Sequence, residues 1–385
     1  MAWGGFAVQL FLAMGWTVYV IFLPALAAQA GIGKAWVPWL LLADQAIFAA
    51  MDWALGTAAD RMAPRIRRLA NAVALLSLVS CASFLALPFV APAASPALFV
   101  AATVVWSATS SALRAPPLVL LGRHLPAPSL PWACGLFMLG LGIAGAFAPY
   151  LTARLRDTDP ALPFALAAVS LAAATLVMTR ALGAGPGAAA APVAQPPGTQ
   201  PVAPFLFAVA LLGLGFQIHF SLNAAPSFLR FAQPADLEKL MPAFWIGFNL
   251  LVLPASLLTR RLGGLATMAL GAAAGGVAAA LVSTAGSLPV LLVLQFVAGA
   301  SWGCVMMSAV AAALAMGRTG REGFVCGALW SLFALAAFTR IALVIAQVPQ
   351  APAWKPVLAW APGALWLTAG LLLAATLAGS RQGRA

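Results

Sequence analysis

Apolar runs of membrane-spanning length follow one another along almost the whole sequence. The chain has 385 residues, of which 63% are hydrophobic and 7% charged. A helix needs about 20 apolar residues to cross roughly 30 Å of hydrocarbon. Counting on that basis predicts twelve spans, at about 4–28, 37–58, 69–91, 97–121, 132–153, 161–180, 203–226, 240–259, 265–286, 288–315, 324–347 and 357–379. The sequence therefore predicts an all-α integral membrane protein with twelve transmembrane helices.

One long connection divides the spans six and six. Residues 181–202 are rich in glycine and proline and predict a flexible cytoplasmic linker. The expected domains are thus an N-terminal six-helix bundle at 1–180 and a C-terminal one at 203–385. The second run ends in basic residues at 60–65 and the eighth at 259–264, so we expect two pseudo-symmetric bundles.

The formal net charge of +12 comes from lysines and arginines at the ends of the apolar runs. Basic residues at the ends of spans determine how the spans are oriented in the membrane. A nucleic-acid-binding protein would instead cluster its basic residues on one polar face. The densest cluster, at 56–68, predicts a cytoplasmic turn. It places both termini in the cytoplasm, with twelve basic residues there against six outside. The expected location is a bacterial inner membrane, and no cleavable signal peptide is apparent.

The sequence offers little material for catalysis. It has two histidines and eight acidic residues, and its four cysteines are scattered through apolar runs. No phosphate-binding loop of the G-x-x-x-x-G-K-[ST] type is present. We therefore expect no enzyme site, no cofactor, no metal site and no ATP-driven pump.

The turn after the second run carries Gly56, Asp60 and Arg61, and the first run ends in F-L-P at 22–24. With twelve spans in two halves, these residues resemble the major facilitator superfamily of secondary transporters. The resemblance covers the whole chain in architecture, although Ala63 and Pro64 depart from the motif. It implies that spans one, four, seven and ten line a central cavity. It also implies that Asp60 and Arg61 latch the inner face to the start of span eleven, at residues 322–323.

Four ionisable residues lie inside the predicted spans, where each is a candidate for function. Asp44 and Arg340 lie at matching depth near the outer face, and Asp52 and Arg114 match at a deeper level. Their charges sum to zero, so mutual pairing is the first interpretation. Since the resemblance implies that span two faces span eleven, we hypothesise that Asp44 and Arg340 pair when an outer gate closes.

The remaining candidates are polar or aromatic residues of the lining spans. Ser107, Ser110, Ser111 and Arg114 share one helix face, which predicts a substrate wall or a buried helix interface. The other predicted substrate-binding residues are Trp16, Tyr19, His219, Asn223 and Ser301. His219 is a candidate for a coupling proton, because histidine titrates near neutral pH; Asp44 and Asp52 are alternatives.

These features predict a secondary active transporter that moves a small organic solute by alternating access, coupled to protons. The expected partners are that small-molecule substrate, membrane lipids and protons, with no nucleic acid, and the expected state is a monomer. Arg114 and Arg340 would suit an anion, whereas rings such as Trp16, Tyr19 and Trp302 would suit an organic cation. The alternative function is a non-transporting membrane sensor or assembly protein of the same fold.

Overall fold

Helices make up all the regular structure that the computed structural model describes, over residues 2–184, 202–317 and 320–382. Most of the predicted linker, 185–201, lies outside these ranges. The spanning helices, numbered as spans in chain order, are span 1 Ala2–Gln29, span 2 Val37–Met62, span 3 Ile66–Val90, span 4 Pro96–Ser110 with Ala115–His124, span 5 Leu130–Leu155, span 6 Ala161–Ala184, span 7 Val202–Phe216 with Ala224–Phe228, span 8 Pro242–Val252 with Pro254–Leu262, span 9 Gly264–Val282, span 10 Leu288–Met316, span 11 Glu322–Ile345 and span 12 Lys355–Gln382.

The prediction of an all-helical, multi-pass membrane protein is confirmed. Within the described residues, ten helical segments are long and apolar enough to cross a membrane, or eleven with the bent pair that forms span 8. One of the ten, Lys34–Ala93, is 60 residues long and contains spans 2 and 3. They separate where Arg65 leaves the helical region, at φ −119° and ψ 69°. Dividing this segment gives the predicted twelve spans.

Turn residues explain where several spans end. Gly31 has φ +81° after span 1, and Gly263 has φ +87° between spans 8 and 9. A side chain strains this left-handed conformation, so glycine is favoured at both positions. Proline lies in the first turn of span 2, of span 5 and of span 10, where its missing N–H removes no helical hydrogen bond. These local signals divide an almost continuous apolar sequence into separate helices.

The helix contacts of the first half recur six spans later. Span 1 packs against spans 5 and 6, as span 7 packs against spans 11 and 12. Span 3 packs against spans 4 and 6, as span 9 packs against spans 10 and 12. The two six-helix bundles are therefore pseudo-symmetric, as predicted. They meet mainly where span 2 packs on span 11 and span 5 on span 8.

Candidate functional site

A cavity of about 560 Å³ lies between the two halves. Spans 1, 4, 7 and 10 line it, as the sequence resemblance implied, and spans 2, 5, 8 and 11 complete its walls. The lining residues come from the middle of these helices and from their ends on one side of the molecule. A cavity of this size and position suits a small organic molecule.

The cavity is closed at the end that carries the turn after span 2. The Asp60 carboxylate accepts hydrogen bonds from the backbone N–H groups of Gly323 (2.6 Å) and Phe324 (2.8 Å). These groups lie at the start of span 11, where the helix dipole favours a negative charge. Arg123 of span 4 forms an ion pair with Glu322 at 2.9 Å. We call these three contacts, between Asp60 or Arg123 and residues 322–324, the latch, and this side of the protein the latch face.

The latch differs in one residue from the expectation. Arg61 is exposed, and it has no hydrogen bond or ion pair to another residue of the described ranges. Arg123, which the sequence did not single out, provides the cation instead. The difference arises because adjacent side chains on a helix point in different directions, and only that of Asp60 faces span 11.

Glycines bring spans 2 and 11 together beneath the latch. A Cβ atom added to Gly56 would collide with the Gly323 carbonyl oxygen, and one added to Gly323 would collide with the Gly56 carbonyl oxygen. A Cβ on Gly327 would lie 2.5 Å from the carbonyl oxygen of Asp52. Only glycine allows the two backbones to approach this closely. Gly56, the first residue of the recognised motif, therefore acts in helix packing.

Span 5 and span 8 meet through a second glycine contact. A Cβ on Gly142 would collide with Asn249 and Phe248, and a Cβ on Gly145 would lie 2.5 Å from Trp245. The small residues of span 5 thus serve close helix packing between the halves. Further along, Thr152 of span 5 and Met241 at the start of span 8 line the cavity.

Away from the latch face the halves diverge. The Ser331 hydroxyl of span 11 donates to the Ala49 carbonyl of span 2 at 2.6 Å. Further from the latch along the same two helices, Gln45 of span 2 and Arg340 of span 11 line the cavity from opposite halves. The structure is therefore closed at the latch face and open toward the opposite face, which we call the open face.

Aromatic rings line the cavity on both of its walls. Trp16 stacks on Trp106 at 6.1 Å between ring centroids in the N-terminal half. Phe216 stacks on Trp302 at 4.6 Å in the C-terminal half, with an angle of 3° between the rings. Phe48, Phe220, Trp245, Trp330 and Phe333 extend these two walls. Trp16 was predicted from sequence, whereas Trp106, Phe216 and Trp245 were indistinguishable there from ordinary apolar residues.

The deeper pair of charges is formed. Arg114 Nη1 lies 2.7 Å from Asp52 Oδ2, and its guanidinium lies 4.1 Å from the centre of the Phe48 ring. Asp52 is fully buried, while the Arg114 side chain is 17% exposed and lines the cavity. Arg114 has non-helical dihedrals (φ −107°, ψ −80°) where span 4 breaks, just ahead of Pro116 and Pro117. The break turns its side chain toward Asp52 and the cavity.

The outer pair is not formed in this open-face state. Asp44 is 1% exposed and accepts hydrogen bonds from the Tyr19 hydroxyl (2.8 Å) and the Ser107 hydroxyl (2.7 Å). Arg340 lies on the opposite wall, and its Nε has no hydrogen-bond partner among the described residues. Pairing of Asp44 with Arg340 remains a prediction for a state in which the open face has closed.

Span 7 contains a π-helix, Gln217–Asn223, beside the cavity. Such wide turns are rare and concentrate at functional sites. Gln217, Phe220 and Ser221 line the cavity, and the Ser221 hydroxyl donates to Gln217 Oε1 at 3.3 Å. The extra residue in the turn widens the set of side chains that span 7 presents to the cavity.

His219 and Asn223 lie on other faces of the π-helix. His219 is 1% exposed, and its Nε2 lies 3.0 Å from Gln295 Oε1 of span 10. Asn223 donates to the Leu358 carbonyl of span 12 at 2.7 Å. Both residues link helices within the C-terminal half and do not line the cavity.

Of the nine residues predicted to bind substrate, Trp16, Ser110 and Arg114 line the cavity. The other six lie behind its walls: Tyr19, Ser107, Ser111, His219, Asn223 and Ser301. Ser107 supports Asp44, and Ser111 is fully buried in the turn where span 4 breaks. The predicted serine face is thus divided: Ser110 and Arg114 line the cavity, whereas Ser107 and Ser111 lie behind its wall.

No protein-family model and no curated protein sequence matches this chain. Solved structures do match it over nearly its full length. A bacterial homologue of the iron transporter ferroportin in an outward-facing state has a TM-score of 0.75 and 14% identity, covering 98% of this chain and 100% of that one.

Two further structures are similar over the same length. The human organic anion transporter MFSD10 (TETRAN) has a TM-score of 0.66 and 15% identity, with 96% and 98% coverage. FucP, a major facilitator superfamily transporter in the outward conformation, has a TM-score of 0.68 and 10% identity, with 98% and 99% coverage. The chain therefore has the fold of major facilitator superfamily transporters.

Proposed function

We propose that this protein is a secondary active transporter that moves a small organic solute across a membrane by alternating access. The observation that supports this most is a solute-sized cavity between two pseudo-symmetric halves, closed at the latch face and open opposite it. In a rocking mechanism the latch opens as the open face closes, and the cavity changes sides. The moving units are the domains expected from sequence, 1–180 and 203–385, joined by 181–202.

The latch face is proposed to be cytoplasmic. Arg61, Arg65, Arg67 and Arg68 cluster there, and arginine is retained on the cytoplasmic side of membranes. With this orientation both termini are cytoplasmic in a bacterial inner membrane, and the structure is an outward-open state. The ferroportin homologue and FucP are likewise described in outward states.

The chemistry of the cavity favours an organic solute over a metal ion. The described residues provide no group of three or more His, Cys, Asp or Glu side chains that could hold a metal. Instead the walls combine aromatic rings with two guanidinium groups and several amides. Among the similar structures, MFSD10 is an organic anion transporter and FucP a fucose:proton symporter, and small organic solutes are the class we propose here.

Proton coupling is proposed to act through Asp44. Its carboxylate is buried without a cation and accepts one hydroxyl on each oxygen. When the carboxyl gains a proton, one oxygen becomes a donor, so the hydroxyl beside it must accept this hydrogen bond and direct its own hydrogen to another acceptor. Tyr19 belongs to span 1 and Ser107 to span 4, and both spans line the cavity. Protonation of Asp44 would thereby change the packing of two lining helices.

The motion can be tested with two pairs of spin labels, in a background that lacks the four native cysteines. Arg65→Cys and Arg261→Cys report the distance between the halves at the latch face, and Asp157→Cys and Gln350→Cys report the open face. All four residues are exposed. We expect conditions that lengthen the first distance, such as a pH change or an added solute, to shorten the second in the same fraction of molecules.

Double electron-electron resonance gives both distance distributions. A single unchanging distribution at each face, at every pH and with every solute, would contradict the transporter proposal. That result would favour the alternative, a sensor or assembly protein that keeps this fold without alternating access.

A further inference from the structure

We infer that the cavity binds an amphipathic organic anion, with Arg340 holding the acidic group and the aromatic walls holding the apolar body. This inference names the substrate class of the transporter proposed above and rests on that proposal for its role. The sequence alone left a choice between anion and cation, because the four charges within the spans cancel. In the structure these four charges are not equally accessible, and only the two positive ones line the cavity.

The side chains that line the cavity carry only positive charge. Arg114 and Arg340 line it, and no Asp or Glu of the described residues does. Asp52 is fully buried against Arg114, and Asp44 is 1% exposed behind Tyr19 and Ser107. Both carboxylates are therefore inaccessible to a ligand in the cavity, whereas the two arginine side chains line the cavity.

Of the two cations that line the cavity, Arg340 has no counter-ion among the described residues. The ion pairs of the described residues are Arg114 with Asp52 and Arg123 with Glu322. Arg340 is half-buried on span 11, and its Nε is buried without a hydrogen-bond partner. A buried charge is costly unless it is paired, and a guanidinium pairs best with a planar or tetrahedral anion through two parallel hydrogen bonds. An anionic ligand would supply the missing partner.

A second donor on span 11 also lacks a partner. Trp330 is 8% exposed, lines the cavity, and its Nε1–H has no hydrogen-bond acceptor among the described residues. A buried indole N–H normally finds an acceptor. Span 11 thus carries two donors without acceptors beside the cavity at different depths, and both atoms are buried within its wall in this state.

The apolar body of the ligand would lie between the stacked rings. Half-buried Trp16 on one wall and half-buried Phe216 on the other line the cavity, and the buried rings of Trp106 and Trp302 stack behind them. Burial of the apolar area of a ligand against such rings favours binding. The volume of about 560 Å³ holds a bicyclic ring system with its acidic substituent. An inorganic anion would leave most of this surface unused.

Three naphthalene derivatives of nearly equal size test the charge preference. They are naphthalenesulfonate, naphthalenesulfonamide and naphthylmethylammonium, which carry a permanent negative charge, no charge and a positive charge. Isothermal titration calorimetry on the protein in nanodiscs of neutral lipid gives their dissociation constants. We expect the sulfonate to bind at least tenfold more tightly than the sulfonamide, and the ammonium compound to bind most weakly.

Substitution of Arg340 locates the site. In Arg340→Gln the advantage of the sulfonate over the sulfonamide should fall to less than twofold, whereas Arg340→Lys should keep part of it. Arg156→Gln removes the same charge from an exposed position outside the cavity and should leave the advantage unchanged. Since Arg340 has no counter-ion, Arg340→Gln should also fold with an unchanged or higher Tm, so that lost binding is not lost structure.

Tighter binding of the amide or ammonium compound, or an unchanged sulfonate preference in Arg340→Gln, would overturn the inference. Failure of all three compounds to bind would overturn it as well. The spin-label distances keep the two proposals apart. If sulfonate binding depends on Arg340 but the halves do not move, the transport proposal is refuted and the anion site stands. If the halves move but the ammonium compound binds most tightly, the anion site is refuted and the transport proposal stands.

Discussion

Removal of the Asp60 charge should open the latch. The carboxylate holds the start of span 11 through two hydrogen bonds of 2.6 and 2.8 Å to Gly323 and Phe324. Hydrogen bonds to a charged group contribute about 1.5 to 3 kcal/mol each, but Asp60 is only half-buried and asparagine keeps one acceptor. We therefore expect Asp60→Asn to cost the latch-closed state about 1 to 2 kcal/mol, which raises the ratio of latch-open to latch-closed molecules roughly 5- to 30-fold.

The native Cys326 reports this ratio. It is 1% exposed and lies one helical turn beyond Glu322, so a membrane-impermeant maleimide should reach it only when span 11 leaves span 2. When opening is fast compared with modification, the modification rate follows the open population. Peptide mass spectrometry should therefore show Cys326 reacting 5- to 30-fold faster in Asp60→Asn, following that energy estimate.

Two controls accompany the measurement. Cys81 is 6% exposed within the N-terminal half, and its rate should not change. Asp157→Asn removes a charge from an exposed loop at the open face and should leave both rates at the wild-type value. An unchanged Cys326 rate in Asp60→Asn would refute the argument that these hydrogen bonds hold the latch closed.

Three further predictions concern the interior. Asp52→Asn should lower the free energy of unfolding by about 3 to 5 kcal/mol because it leaves Arg114 unpaired. If the two residues are coupled, thermal unfolding of the double variant Asp52→Asn with Arg114→Gln should show a much smaller loss than the sum of the losses in the two single variants. Gly142→Leu should drive span 8 away from span 5, since even a Cβ collides with Phe248; an unchanged latch-face distance between spin labels would contradict this. Asp44→Asn should retain solute exchange but lose its dependence on a pH gradient, and gradient-driven accumulation by this variant would rule out Asp44 as the proton carrier.

The fold could be predicted from sequence because each helix in a membrane must satisfy its own backbone hydrogen bonds. Length and hydropathy then suffice to find the spans, and the arginine-rich turn with Gly56 and Asp60 indicated the superfamily. Spans 2 and 3 are 60 residues of nearly unbroken helix-forming sequence, and the charged residues at 60–68 were the signal that divided them. The contact of Asp60 with Gly323 followed from the same resemblance.

The site was harder to predict, because the direction of a side chain depends on local breaks in the helices. Ser107 and Arg114 share a face of a regular helix, but the break at residues 111–114 sends one to Asp44 and the other into the cavity. The π-helix at 217–223 likewise turns His219 away from the wall that Gln217 joins. Neither irregularity has a clear sequence signal, apart from Pro116 and Pro117.

The charge balance shows the same limit. Asp44, Asp52, Arg114 and Arg340 sum to zero in the sequence, and depth along the helices suggested two pairs. Depth does not reveal which side chains are covered by others. The Tyr19 and Ser107 hydroxyls donate hydrogen bonds to the Asp44 carboxylate, and Arg340 lines the cavity without a counter-ion among the described residues.

Uptake into proteoliposomes tests the central claim, transport of an organic anion by alternating access, most directly. Radiolabelled naphthalenesulfonate stays charged at every pH, so leakage of a neutral form through lipid does not contribute. We predict saturable uptake by counterflow in the wild-type protein and in Arg156→Gln, and a loss of at least tenfold in Arg340→Gln. Uptake no greater than in protein-free liposomes, in preparations that bind the sulfonate, would contradict the account.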